Sequence, residues 1–330
     1  MNTPKTDEQL SAVGPQVPLS ARIKAYLDER FPMVSHGVLI LSYYSSNQFL
    51  AEVLTRPNDK LRYTIGSVLG AITLFCMFLH LRVFDEHKDY DDDLKHYPDR
   101  VLQSGVVTLM HLKILGAIAI GLEIVFALVW MPTGKPAALV AVMIAIGYSV
   151  LMLNEFFVRD WLKRHFLIYT ISHMLVMPIF AMVVYSFTTG EYPWEAPLWF
   201  WVYAFVGFFV TLNWEISRKI RAPEEEIAGV DSYTKILGTY GAAYAVLIVR
   251  IIDTLIVAWV GWHIGASQWF YCALVALFLI CLVGFFQFRF NTNAKTAKRM
   301  ETYAGLYIIA FDLILAVELI RSHGVQFSWM

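Results

Sequence analysis

Apolar residues along this chain fall in long uninterrupted runs, separated by polar stretches of very unequal charge. Nine runs lie near 36–54, 63–84, 105–130, 136–155, 166–187, 195–213, 239–262, 267–290 and 303–321. Each is close to the ~20 residues that a helix needs to cross a hydrocarbon core of ~30 Å. Membrane strands would alternate apolar and polar residues over ~10 positions, and these runs do not alternate. The pattern predicts an all-α polytopic membrane protein with about nine transmembrane helices. Residues 1–35 then form an N-terminal segment, 36–322 the membrane domain and 323–330 a short C-terminal tail.

Composition agrees with this reading. Hydrophobic residues make up 58% of the chain and charged residues 16%, against roughly 25% charged in soluble domains. Mean hydropathy is +0.54. Cys76, Cys272 and Cys281 all sit inside apolar runs and read as small buried residues, not as a disulfide framework. The first thirty or so residues lack the early apolar core of a secretory signal. No basic, aromatic-interleaved stripe appears, which excludes nucleic acid as a partner.

Charge is segregated by loop. Charged stretches follow the second, fourth, sixth and eighth runs, at 85–104, 156–165, 214–238 and 291–302, whereas links such as Met131–Lys135 and Gly261–Ser267 are short and nearly uncharged. Basic residues before the first run (Arg22, Lys24, Arg30) and in the even loops outnumber those across the membrane, mainly Arg56, Lys60, Arg62, Lys135 and Arg321. The positive-inside rule puts the amino terminus and the even loops in the cytoplasm. The chemically rich loops of this integral, multi-pass protein then gather on one face.

The sharpest local signal ends the second run, at Arg82-Val-Phe-Asp85-Glu-His-Lys-Asp89-Tyr-Asp-Asp-Asp93. Spacing of i, i+4, i+8 places Asp85, Asp89 and Asp93 on one helical stripe. Like charges at i, i+4 repel by roughly 0.2–0.5 kcal/mol per pair, so something should compensate them. Mg2+ suits such a stripe, because it takes oxygen ligands and is commonly held by one or two carboxylates plus substrate phosphates. A solvated acidic loop is the plainer alternative. The ligand reading is favoured because the triad begins directly at the end of a membrane span.

At these residues the sequence resembles the UbiA-type membrane prenyltransferase superfamily, whose members have nine helices and a motif N-x-x-x-D-x-x-x-D ending the second. Asp85, Asp89 and Asp93 match it, with Asp in place of the initial Asn. Arg100-Val-Leu-Gln-Ser104-Gly105 matches the family's R-P-x-x-S-G stretch, with Val101 in place of proline. The family's second motif, D-x-x-x-D after helix 6, departs further. The segment from Gly229 to Gly238 fits, but the acidic pair becomes Arg221 with Glu225 in one register, or Glu215 with Lys219 in another. A cation in place of a carboxylate substitutes a direct phosphate contact for metal coordination, for which the guanidinium fork is suited. A basic turn meeting anionic lipids explains Arg218, Lys219 and Arg221 equally well. After the fourth run, where the family often carries Tyr-x-x-x-Lys, stand Glu155 and Arg159.

The resemblance implies a UbiA-like bundle that binds an isoprenyl diphosphate and transfers its prenyl group to a small hydrophobic or lipid acceptor (aromatic, quinone precursor or polar lipid). It implies Mg2+ on Asp85, Asp89 and Asp93, with Glu215 or Glu225 opposite, and diphosphate contacts from Arg100, Arg159, Lys163, Arg218, Lys219 and Arg221. Two alternatives keep the fold: a membrane terpene cyclase that needs no acceptor, and a non-enzymatic lipid carrier.

Ionisable residues within spans are costly and need partners. Arg250 and Asp253, three apart, are expected to pair on one helix. Glu123, Asp312 and Glu318 have no partner visible in sequence. Asn47 and Gln48 suit hydrogen bonds between helices or a substrate cavity. His80 and Arg82 lie near the aspartates, within reach of a phosphate, and His173 reads as a satisfied core histidine. Trp194, Trp199 and Trp201 suit an interfacial belt.

Overall fold

Four of the long helices begin where Thr64, Thr108, Ser232 or Asn293 takes up an amide that the first turn leaves unpaired, and three others follow directly on Pro32, Pro136 or Pro197. The computed structural model describes residues 17–226 and 231–328. In chain order the elements are α1 (Leu19–Arg30), α2 (Met33–Thr55), β1 (Leu61–Tyr63), α3 (Ile65–Lys88), α4 (Tyr90–His96) and α5 (Leu109–Val129). There follow α6 (Ala137–Leu153), α7 (Arg159–Arg164), α8 (Phe166–Met174), α9 (Val176–Thr189) and α10 (Leu198–Arg218). The last are α11 (Tyr233–His263), α12 (Gln268–Phe290), α13 (Ala294–His323) and β2 (Val325–Phe327). Thr64 opens α3 by accepting from the Ser67 amide, and the Ser67 hydroxyl accepts in return from the Thr64 amide. Asn293 and Thr296 do the same at the start of α13.

All nine expected apolar segments fall on helices. Among the described residues, seven helices have the length and hydropathy to cross a membrane: α3, α5, the combined α8–α9 stretch Phe166–Thr189, α10, α11, α12 and α13. Helix α2 is 23 residues long, but Ser42, Ser45, Ser46, Asn47, Gln48 and Glu52 make it more polar. Helix α6 is apolar yet has only 17 residues. Length and hydropathy therefore support seven of the nine expected spans. The fifth breaks between Met174 and Val176, and α11 bends at Gly238, whose φ of 73° suits glycine.

Sequence neighbours pack in pairs: α3 against α5, α10 against α11, α12 against α13. The last helix α13 also packs against α2, so the order of helices closes on itself. The short C-terminal tail carries β2, which pairs in parallel with β1 through Leu61–Val325 and Tyr63–Phe327. Cys76 and Cys281 are buried as expected, but Cys272 is exposed, because α12 turns that face away from its neighbours.

Several buried ionisable groups find partners on other helices, which spacing along one helix cannot reveal. His80 Nδ1 and Glu123 Oε1 stand 2.7 Å apart between α3 and α5, both fully buried, so His80 is removed from any phosphate. Asp312 accepts from Ser46 of α2 and from Tyr203 of α10. Glu318 accepts from the Ser267 amide at 2.6 Å and its hydroxyl at 2.8 Å. Gln48 Nε2 donates to Ser67 Oγ at 2.8 Å. The expected Arg250–Asp253 pair is not formed. Instead Arg250 donates to Asn213 Oδ1 at 2.8 Å and to the Cys281 carbonyl at 3.3 Å. Its planar fork reaches acceptors on two neighbouring helices at once.

One close approach yields a stability test. The Trp130 indole donates to the Phe187 carbonyl at 2.7 Å and lies where a Cβ on Gly66 would stand. The hydrogen bond restrains the ring from moving aside. Gly66→Ala is expected to destabilise the protein by about 1–3 kcal/mol, the usual cost of overpacking, seen as earlier thermal unfolding in detergent.

Candidate active site

The first aspartate motif is built by continuing an apolar helix one turn into charge. Helix α3 runs past the expected end at 84 to Lys88, and Asp89 closes it with φ −100° and ψ 4°. The chain restarts at once as α4, while the Asp89 amide bonds to the Asp85 carbonyl (2.9 Å) and the Asp93 amide to the Asp89 carbonyl (2.8 Å). The i, i+4, i+8 register therefore survives the break.

The protein's own cations neutralise these carboxylates. Lys88 Nζ lies 3.4 Å from Asp85 and 3.9 Å from Asp89, and Arg82 stands 4.0 Å from Asp85. Arg100 meets Asp93 at 2.6 Å, with Arg30 of α1 at 3.8 Å. Among the described residues no three His, Cys, Asp or Glu groups converge as a metal cage. The expected three-aspartate ligand set is thus divided. Asp85 and Asp89 share one lysine, whereas Asp93 is turned towards two arginines.

Lys88 is the least exposed of these cations, at 6%. Its ammonium donates to the Tyr169 hydroxyl of α8 at 2.7 Å and sits 5.3 Å from that ring's centroid, which brings the fifth span to the aspartates. The amino-terminal helix joins as well. Arg30 donates to Glu86 at 2.6 Å, and Glu29 accepts from the Val101 amide, fixing the Arg100 loop. Sequence reasoning counted Arg30 only as a positive-inside residue. Tyr169 carried no signal at all, since a lone tyrosine in an apolar run is usually core or belt.

The loop after the fourth expected span places its residues differently from expectation. Glu155, Phe156 and Phe157 all take left-handed backbone, with φ of 46°, 53° and 61°. Such conformations cost non-glycine residues about 1–3 kcal/mol each. Glu155 is buried and holds Arg159 at 2.9 Å. Lys163 reaches Asp92 at 3.1 Å, joining this loop to the first motif, and that hydrogen bond holds the Asp92 carboxyl below its usual range.

In the second loop Glu215 receives both Arg218 and Lys219, the latter at 2.8 Å, so the helix-end register is realised as an ion-pair cluster. Lys219 Nζ lies 5.1 Å from the centroid of the Phe166 ring of α8, the helix whose Tyr169 meets Lys88, so the loops after α3 and α10 both border α8. Glu225 does not join them. Its carboxylate accepts from the Ala222 amide and closes the short turn Pro223–Glu225, and Arg221 Nη1 donates to the Glu225 carbonyl. The two residues expected as a metal ligand and a phosphate contact thus serve their own turn in this structure, apart from the Glu215 cluster. Gly229 of the motif lies outside the described residues; Gly238 marks the bend in α11.

Asp89 carries the site's clearest electrostatic signature. Burial pushes its carboxyl up to about 6, Lys88 opposes the rise, and Asp85, Asp93 and Glu155 add to it. The folded protein thus holds this proton to higher pH than the unfolded chain does. Ionising Asp89 opposes folding as pH rises from about 4 to about 6. Lys88→Met removes the opposing cation. It is expected to move Asp89's titration above pH 6, read from the carboxyl carbon by NMR.

Comparison with known proteins bears on the fold and the family. The family model described as the UbiA prenyltransferase family matches residues 56–309. The apo structure of a UbiA homolog from Aeropyrum pernix K1 superposes with a TM-score of 0.64 at 14% identity, covering 87% of this chain and 98% of that one. A structure of digeranylgeranylglyceryl phosphate synthase gives 0.58 at 16% identity, covering 91% of this chain and 99% of that one. No curated protein matches the chain by sequence. The resemblance read from the aspartate motif and the Arg100–Gly105 stretch is therefore correct, and the chain belongs to the UbiA prenyltransferase family.

Proposed function

We propose that this protein is a prenyltransferase that ionises an allylic isoprenyl diphosphate at the charged face and passes the prenyl group to an aromatic, quinone-precursor or lipid acceptor. The observation that carries this reading is the sharing of Lys88 between Asp85 and Asp89. Hard carboxylate oxygens with one displaceable ammonium between them suit Mg2+, which ordinarily completes its shell with water and phosphate oxygens. Asp85 and Asp89 would hold it; Asp93, engaged by two arginines, has the weaker claim, and Glu215 is held by its own two cations. When bound, Mg2+ supplies positive charge against the leaving diphosphate.

The remaining work falls to the chain's own residues. Arg218 and Lys219, with Arg100 and Lys163 at the edge, offer donors to phosphate oxygens, and such contacts strengthen as charge develops on the leaving oxygen. Arg159 joins only by leaving Glu155. The isoprenoid tail would lie among apolar helices, with the reactive end at the cytoplasmic face. The neighbouring synthase's printed product is a lipid phosphate, which supports the lipid class among the acceptors.

Two results test the reading. Asp89→Asn is expected to lower Mg2+-dependent consumption of geranylgeranyl diphosphate by about 100-fold or more, measured as diphosphate release in nanodiscs. Glu225→Gln is expected to stay within about threefold of wild type, since Glu225 only closes its own turn and surface changes of this kind are usually small. Equal losses in the two variants would refute the assignment. Cyclic hydrocarbon formed without any added acceptor would replace transfer by cyclisation.

A further inference from the structure

His173 of α8 was expected to be a satisfied core histidine, and half of it is. Its Nδ1 lies 2.8 Å from the Tyr169 carbonyl. A carbonyl only accepts, so that nitrogen carries the proton, and in the neutral ring Nε2 is left with a free lone pair. Nε2 is buried, and it has no hydrogen-bond partner among the described residues. An unsatisfied buried nitrogen is normally removed or partnered, because it costs about 1–3 kcal/mol.

The ring is also firmly held. It stacks on Tyr169 at 4.1 Å between centroids. Phe156 meets it edge-on at 5.9 Å from the left-handed turn, and Phe156 in turn rests on Tyr148. Tyr169 is the same residue whose hydroxyl accepts from Lys88. Lys88 and Asp85 from α3 and Glu215 from α10 are the charges that act on His173; contacts tie its helix to both motifs, through Tyr169 with Lys88 and through the Phe166 ring with Lys219 at 5.1 Å. A clamped imidazole with an open lone pair thus stands on the one helix that both motifs contact.

We infer that His173 Nε2 receives the proton of a hydroxyl-bearing acceptor as that acceptor captures the prenyl group. The inference rests on the prenyltransferase reading. The acceptor O–H donates to Nε2, and the oxygen lone pair forms a bond to the allylic C1. The bond from C1 to the diphosphate oxygen breaks with its electron pair on the leaving group. The hydroxyl proton ends on the imidazole, which later returns it to water. The products are an allylic ether and diphosphate. A base of this kind must be neutral, so transfer is present above the imidazole's pKa and lost as pH falls through it.

The test uses the full chain in nanodiscs with Mg2+, geranylgeranyl diphosphate, and phenol or 1-dodecanol as the hydroxyl probe. His173→Ala and His173→Gln are expected to lower kcat for ether formation by about 100-fold or more, the usual weight of a general base. The Kd for unreactive geranylgeranyl thiodiphosphate should stay within twofold, which also reports that the variants fold. Added imidazole should restore part of the activity of His173→Ala, and the acid limb of the wild-type pH profile should vanish in both variants. Ether formation within threefold of wild type in His173→Gln would overturn the inference, as would an equal loss of thiodiphosphate binding. If wild type binds the thiodiphosphate but prenylates neither hydroxyl compound, the inference falls while the parent reading stands. If wild type does not bind it with Mg2+, the parent reading falls first.

Discussion

A single buried ammonium organises the charged face. Lys88 sits at the end of an apolar helix, where desolvation would be costly for an isolated charge. Two carboxylates one helical turn apart and a tyrosine hydroxyl from another span offset that cost. Without Lys88, Asp85 and Asp89 would repel each other at the close of α3, and α8 would lose its polar link to the motif. The lysine therefore holds two elements together. In the function proposed above, a divalent ion and a diphosphate would compete for its place. Preassembled charge of this kind needs little reorganisation when substrate charge arrives.

The same logic runs through the apolar interior. Within hydrocarbon an unpaired polar group has no water to turn to, so polar side chains in the bundle act as links between helices. His80 with Glu123, Asp312 with Ser46 and Tyr203, and Arg250 with Asn213 each tie two or more helices. These links fix helix rotations, and rotation decides which residues of α3, α8 and α10 meet at the charged face.

Periodicity and charge made much of this legible. The nine apolar segments were visible because membrane burial writes itself as uninterrupted hydrophobicity, and the aspartate motif because helical spacing is local. What spacing cannot show is which distant residue answers a charge. Arg250 and Asp253 look like partners three residues apart, yet a guanidinium chooses among all acceptors in three dimensions. Arg30 is far from Asp93 in sequence and lies beside it through the placement of α1. Glu225 fits a family register, but a proline-led turn consumes its carboxylate locally. The left-handed run at Glu155–Phe157 was illegible for a different reason. No glycine or asparagine stands within it, Asn154 lying just before, so the surrounding packing imposes the conformation against the residues' own preference.

The short parallel pairing of β1 and β2 bears on how the molecule is assembled. Leu61–Tyr63 precede the second span, whereas Val325–Phe327 follow the last helix. A chain made and inserted from its amino terminus exposes β1 long before its partner strand exists. Contacts so distant in sequence carry a large loop-closure cost and form late. The ring of helices can therefore be sealed only after the final helix is in place, which makes this three-residue ladder a marker of completed insertion.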